Sequence, residues 1–192
     1  RNAELAVISS VQQGLVAEMD MQAIYNLVGD QIRETFEAQI VLLATFDRDV
    51  EKVSLHYCYE MGKRFAPPPI PFNELHRHLI ASGQAVRFDE DPDRAMAQFG
   101  LRVLAGTENP LSQMYVPLVT GGEVTGYVSL QNVDREHAFD DADQRLLSTL
   151  ASSMSVALEN ARLFEETRQR NLELAVINRI QEGLGQELDF RA

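Results

Sequence analysis

Cysteine is almost missing from this chain. Cys58 is the single one among 192 residues, which excludes an internal disulfide and a cysteine-rich zinc site. Basic charge is scarce as well: 17 Lys and Arg stand against 29 Asp and Glu, a formal net charge of −12. That balance repels phosphate backbones and anionic lipid, so nucleic-acid and membrane-surface roles are disfavoured. No apolar run approaches the roughly 20 residues needed to cross a bilayer, and IVLLATF (40–46) is only strand-sized. No secretory signal pattern is recognisable, the start at Arg1 points to sequence upstream, and the expected compartment is the cytoplasm. Proline and glycine are absent from Asp140 to Glu182, so no residue there breaks a helix.

Hydrophobic residues, at 45%, are enough for a real core, and the length suits one domain with helical extensions. Leu5, Ile8, Val11 or Gln12, and Leu15 step at helical intervals. Asp20 then reads as the N-cap of a helix over about 21–38, with Ile24, Leu27, Val28, Ile32 and Phe36 on one face. QIVLLATF (39–46) predicts a buried strand, and VSLHYCYE (53–60) an alternating one with Val53, Leu55, Tyr57 and Tyr59 on one face. After the stiff APPPIP (66–71) comes a short helix stopped by Gly83, then the brief strand QAVRF and a long acidic segment, 89–110, with a helical turn or two near 94–101. SQMYVPLVTGGEVTGYVSLQN (112–132) is the strongest hairpin signal, turning on TGGE. Asp140, with Asp143 three positions on, begins a long final helix. Along it Val156, Asn160, Leu163, Thr167, Arg170, Leu174, Ile177, Gln181 and Leu184 step by four and three, a heptad seam weakened by polar entries. The fold class is α+β: one antiparallel sheet flanked by helices.

The chain ends on the phrase with which it begins. Asn2–Ala23 and Asn171–Ala192 align without a gap at an offset of 169, with 12 of 22 positions identical. A period that long is the size of a whole domain rather than of a solenoid repeat. The simplest reading is a tandem array: a linker helix over 1–20, a domain over 21–165, and a second linker helix from 166 that leads into another repeat.

Local motifs for chemistry are few. His76 and His78 are two apart on a helix and point to different sides, while His56 and His137 are solitary. Asp89, Glu90, Asp91 and Asp93 are acidic but lack an EF-hand pattern. Neither a serine-histidine-aspartate set nor a phosphate-cradling glycine loop is recognisable; no metal site is expected, and the sequence names no cofactor.

Three segments carry a family resemblance: ASGQAVRFDED (81–91), SQMYVPLVTGGEVTGYVSLQN (112–132) and FDDADQRLLSTLASSMSVALENARLFEE (139–166). In order and spacing they resemble a GAF domain over about Met21–Glu165. The resemblance implies a central antiparallel sheet, a helical layer that dimerises, and a ligand cavity on the other side, between the sheet, the 73–82 helix and the 89–110 segment. The lining it implies is Tyr57, Tyr59, Phe88, Met96, Phe99, Arg102, Met114 and Tyr115, with Cys58 in place of the tyrosines if the strand faces the other way. Arg102 is the expected cation for a ligand anion. The implied dimer runs through the linker helix at Val156, Leu163, Arg170, Leu174 and Ile177.

The resemblance also narrows the chemistry. Cyclic-nucleotide-binding members carry Asn-Lys, Phe and Asp-Glu; here Asn132, Phe139 and Asp143 match, but Val133 and Gln144 replace the lysine and the glutamate. Cys58 sits too early for a bilin attachment site. The methionine-sulfoxide reductases of this fold need more than one cysteine to complete thiol–disulfide exchange. The expectation is a non-enzymatic sensory domain that binds an unidentified small molecule and signals through dimeric linker helices; its rivals are a ligandless relay module and, less favoured, a cyclic-nucleotide-binding GAF domain.

Overall fold

The computed structural model describes residues 8–11, 14, 20–60, 62–89, 92–101 and 109–189. In chain order the elements are α1 (Met21–Phe36), β1 (Ile40–Asp47), β2 (Lys52–Glu60), β3 (Lys63–Arg64), β4 (Ile70–Pro71), α2 (Glu74–Ser82), β5 (Val86–Phe88), α3 (Pro92–Phe99), β6 (Ser112–Thr120), β7 (Glu123–Asn132) and α4 (Asp141–Asp189). The strands form one antiparallel sheet in the order β3-β2-β1-β7-β6-β5, with β4 also pairing β2.

Local chemistry sets the boundaries. Asp20 caps α1 by accepting from the Gln22 amide at 2.7 Å. Gly83 ends α2 in the left-handed region, its amide donating to the Leu79 carbonyl. Asp140 and Asp143 form a reciprocal box at the start of α4: each backbone amide donates to the other's carboxylate at 2.9 Å. The β6–β7 hairpin turns on Gly121 and Gly122, both at positive φ.

One face of the sheet carries α1 and the first part of α4. Ile24, Val28 and Ile32 of α1 join Leu147, Leu150 and Met154 of α4 over Val41, Leu43, Met114, Val116, Val128 and Leu130. Ile8 and Val11 pack into the same cluster. The other face carries α2, whose Leu75 and Leu79 bury against Ala44, Val53, Tyr115 and Tyr127.

A bulge overturns one expectation. Leu43 pairs with Tyr57 but Ala44 pairs with Leu55, so His56 is an extra residue and the alternation of β2 shifts there. Val53 and Leu55 face α2, whereas Tyr57 joins the α1/α4 cluster and Tyr59 packs against it. Cys58 turns the opposite way, into a small apolar cluster with Ile40 and Leu42.

Candidate functional site

The open end of the β6–β7 hairpin, away from its turn, places neutral polar side chains on the sheet face opposite α1 and α4. Gln113 pairs with Gln131 and Tyr115 with Ser129 across the two strands. Residues two apart on a strand share a face, so the four form a square, and all four are buried. Burying polar groups on a strand is costly unless they bond one another, and here they do. Tyr115 Oη donates to Gln113 Oε1 at 2.7 Å, and Gln131 Nε2 donates to Ser129 Oγ at 3.2 Å and to Tyr115 Oη at 3.4 Å. Burial raises the Tyr115 hydroxyl above its ordinary value, so it remains a donor at physiological pH.

Apolar walls flank this polar square. On the β1 side stand Ile40, Leu42 and Cys58, and burial pushes the Cys58 thiol up to about 12. On the β5 side an aromatic series runs from Tyr115 to Phe88 at 6.2 Å and from Phe88 to Phe99 of α3 at 5.3 Å. Tyr127 connects Tyr115, at 5.8 Å, to His76 of α2, at 5.6 Å. His76 is buried; its Nδ1 accepts from the Asn73 amide at 3.0 Å, and burial, then the neighbouring Arg77, lowers it to about 4. The arrangement places hydrogen-bond donors and acceptors without charge at its centre, framed by rings.

The expected lining is therefore divided. Phe88, Phe99 and Tyr115 come together on this face, and Met96 is half-buried on the adjacent α3. Arg102 lies outside the described residues. Tyr57, Tyr59 and Met114 are on the opposite face, under α1 and α4: the bulge moves the two tyrosines, and strand alternation forbids Met114 and its neighbour Tyr115 from sharing a face. Cys58 stands where the tyrosines were expected. Gln113, Ser129 and Gln131 went unrecognised, although their alternation with Met114, Val116, Val128 and Leu130 inside the strongest hairpin was the available signal.

Asn132, Phe139 and Asp143 all have structural employment. Asn132 Oδ1 accepts from the amides of Asp134 and Arg135, closing the turn after β7. Phe139 is buried in the core and Asp143 belongs to the helix cap.

A concave region opens where α4 leaves the sheet. A cleft of about 810 Å³ is bounded by Met21 and Tyr25 of α1, His56, and Ala161, Phe164 and Arg168 of α4. His56, solitary in sequence, stacks on Tyr25 with ring centroids 4.4 Å apart, and its Nε2 is 2.7 Å from Thr45 Oγ1. On α4 itself, Val156, Leu163, Leu174 and Ile177 are all exposed. Among the described residues no helix is long and apolar enough to cross a membrane.

The family model for the GAF domain matches residues 18–159. Among curated proteins none matches the chain in sequence. Solved structures share its fold. The GAF domain of a phosphoenolpyruvate-protein phosphotransferase from Coxiella burnetii aligns at 18% identity with a TM-score of 0.71, covering 85% of this chain and 96% of that one. Free methionine-R-sulfoxide reductase from Neisseria meningitidis, solved with its substrate, aligns at 21% identity and a TM-score of 0.66, covering 83% and 90%. A bacteriophytochrome from the photosynthetic bacterium R. palustris aligns at 12% identity and a TM-score of 0.66, covering 93% of this chain and 42% of that one.

Proposed function

The chain belongs to the GAF domain family, and from that premise we propose that it is a non-catalytic regulatory sensor whose small-molecule ligand seats on the polar square of Gln113, Tyr115, Ser129 and Gln131. The observation that carries this reading is the burial of four neutral polar side chains on the sheet face away from the helices. For packing alone, apolar residues of the same shape would serve nearly as well as this hydrogen-bonded set. The same two strands present Met114, Val116, Val128 and Leu130 to α4 on their reverse. A ligand that changes the twist of the β6–β7 hairpin thus bears on α4, provided that it binds two helix arrangements with different affinity. The exposed residues Val156, Leu163, Arg170 and Leu174 are the proposed dimer seam through which α4 passes the signal to an output domain. The proposed compartment is the cytoplasm.

Thermal unfolding against cyclic nucleotides, nucleobases, amino acids, haem, divalent metals and organic acids tests the reading. A ligand at 100 times its dissociation constant stabilises by about 2.7 kcal/mol, or about 5–10 °C for a domain of this size. The second reading, a ligandless relay, is favoured by the internal satisfaction of the square, whose members already bond one another. A flat screen, together with native mass spectrometry finding no small molecule retained through purification, selects the relay.

A further inference from the structure

The two copies of the repeated phrase have opposite surroundings. Val11 is 2% exposed in the main core and Ile8 packs against that core. Their counterparts 169 positions on, Ile180 and Ile177, are 57% and 49% exposed on α4. Other identities fall on positions whose work is visible in the first copy. A Cβ on Gly14 would come within 2.8 Å of a terminal methyl of Leu27 of α1, and the counterpart of Gly14 is Gly183. Asp20 caps α1, and its counterpart is Asp189. A coiled-coil seam requires neither a glycine for close approach nor a cap. The seam that steps from Val156 passes through Ile177 and Gln181, leaving Ile180 off it.

We propose that residues 171–189 are the docking helix of a second domain of this same fold, C-terminal to this one on the polypeptide, whose core takes Ile177 and Ile180 as this core takes Ile8 and Val11. The proposal rests on the tandem reading of the repeat and is independent of the ligand. It gives α4 two cores. Ala161 is buried in the first and Ile180 lies 19 residues (180 − 161) farther on, which is about 28 Å along the axis and about a quarter-turn around it. Neither glycine nor proline stands between them, so a rotation of α4 on the first core arrives at the second as the rotation of one rod.

Exchanging residues 2–23 of this chain for the sequence 171–192 tests the equivalence. The exchanged chain should keep its thermal midpoint within about 3 °C of the parent. The same exchange carrying I177D and I180D should fall as far as the parent carrying I8D and V11D. A plain exchange that falls as far as the I8D/V11D chain overturns the proposal. In its natural place, I180D should leave both the midpoint and the sedimentation coefficient of the 192-residue chain unchanged. A dimer that dissociates on I180D would make Ile180 a contact between copies and would also overturn it.

Discussion

The ring of Tyr57 packs against Gly29: a Cβ built on that glycine would come within 2.5–2.6 Å of three ring atoms. Tyr57 then reaches past α1, its hydroxyl donating to Asp30 at 2.9 Å, while the Arg64 guanidinium stands 4.8 Å from the ring centroid. The tyrosine joins β2 to α1 and is unavailable to the opposite face of the sheet. Gly29→Ala should therefore destabilise the fold by about 1–3 kcal/mol, the usual cost of overpacking a core. Urea denaturation measures it; an unchanged midpoint would place the ring elsewhere.

Gly126 is under a harder constraint. A Cβ there would fall 2.0 Å from the Ala44 carbonyl oxygen and 3.0 Å from Thr45 Cα, atoms of the neighbouring strand's backbone. Backbone cannot turn aside as a side chain can, so Gly126→Ala must separate β7 from β1. A loss above about 3 kcal/mol is expected, larger than for Gly29→Ala in the same denaturation series. A smaller loss would mean that β1 and β7 are farther apart than their register implies.

Much of this was legible in the sequence, for identifiable reasons. Asp20, Gly83, Asp140 and the Gly121–Gly122 turn are local signals whose physics needs no tertiary context. The face of β2 was not legible, because a bulge at His56 depends on what β1 offers opposite. The polar square was hidden for another reason. Gln113, Ser129 and Gln131 look like solvent-facing positions of an amphipathic hairpin until the burial of that face is known.

Acid should weaken the fold through His76. Burial, reinforced by Arg77, lowers its pKa to about 4, and its Nδ1 must stay unprotonated to accept from the Asn73 amide. The unfolded chain protonates this histidine below about pH 6.5 and the folded chain does not, so stability falls with pH across the window from about 6.5 down to about 4. The loss is on the order of 3 kcal/mol. His76→Gln should flatten the stability–pH slope in that window relative to the parent; two parallel slopes would refute the assignment.

Cys58 should be inert. With the thiol raised to about 12 by burial, the thiolate that reacts with disulfide reagents is scarce at neutral pH. Ellman's reagent should label the native chain far more slowly than the same chain in denaturant. Rapid labelling of native protein would show that the Ile40–Leu42–Cys58 wall is open to solvent.

The central claim is that the polar square of β6 and β7 receives a ligand. Its most direct test is the small-molecule unfolding screen run in parallel on the parent and on Gln131→Leu. That substitution removes the donor to Ser129 and Tyr115 at a cost near 1 kcal/mol. The account predicts a saturable rise of about 5–10 °C in the parent at 100 times the dissociation constant, and little or none in the variant. A rise of equal size in both would contradict it by placing the ligand elsewhere; no rise in either would contradict it in favour of a ligandless relay.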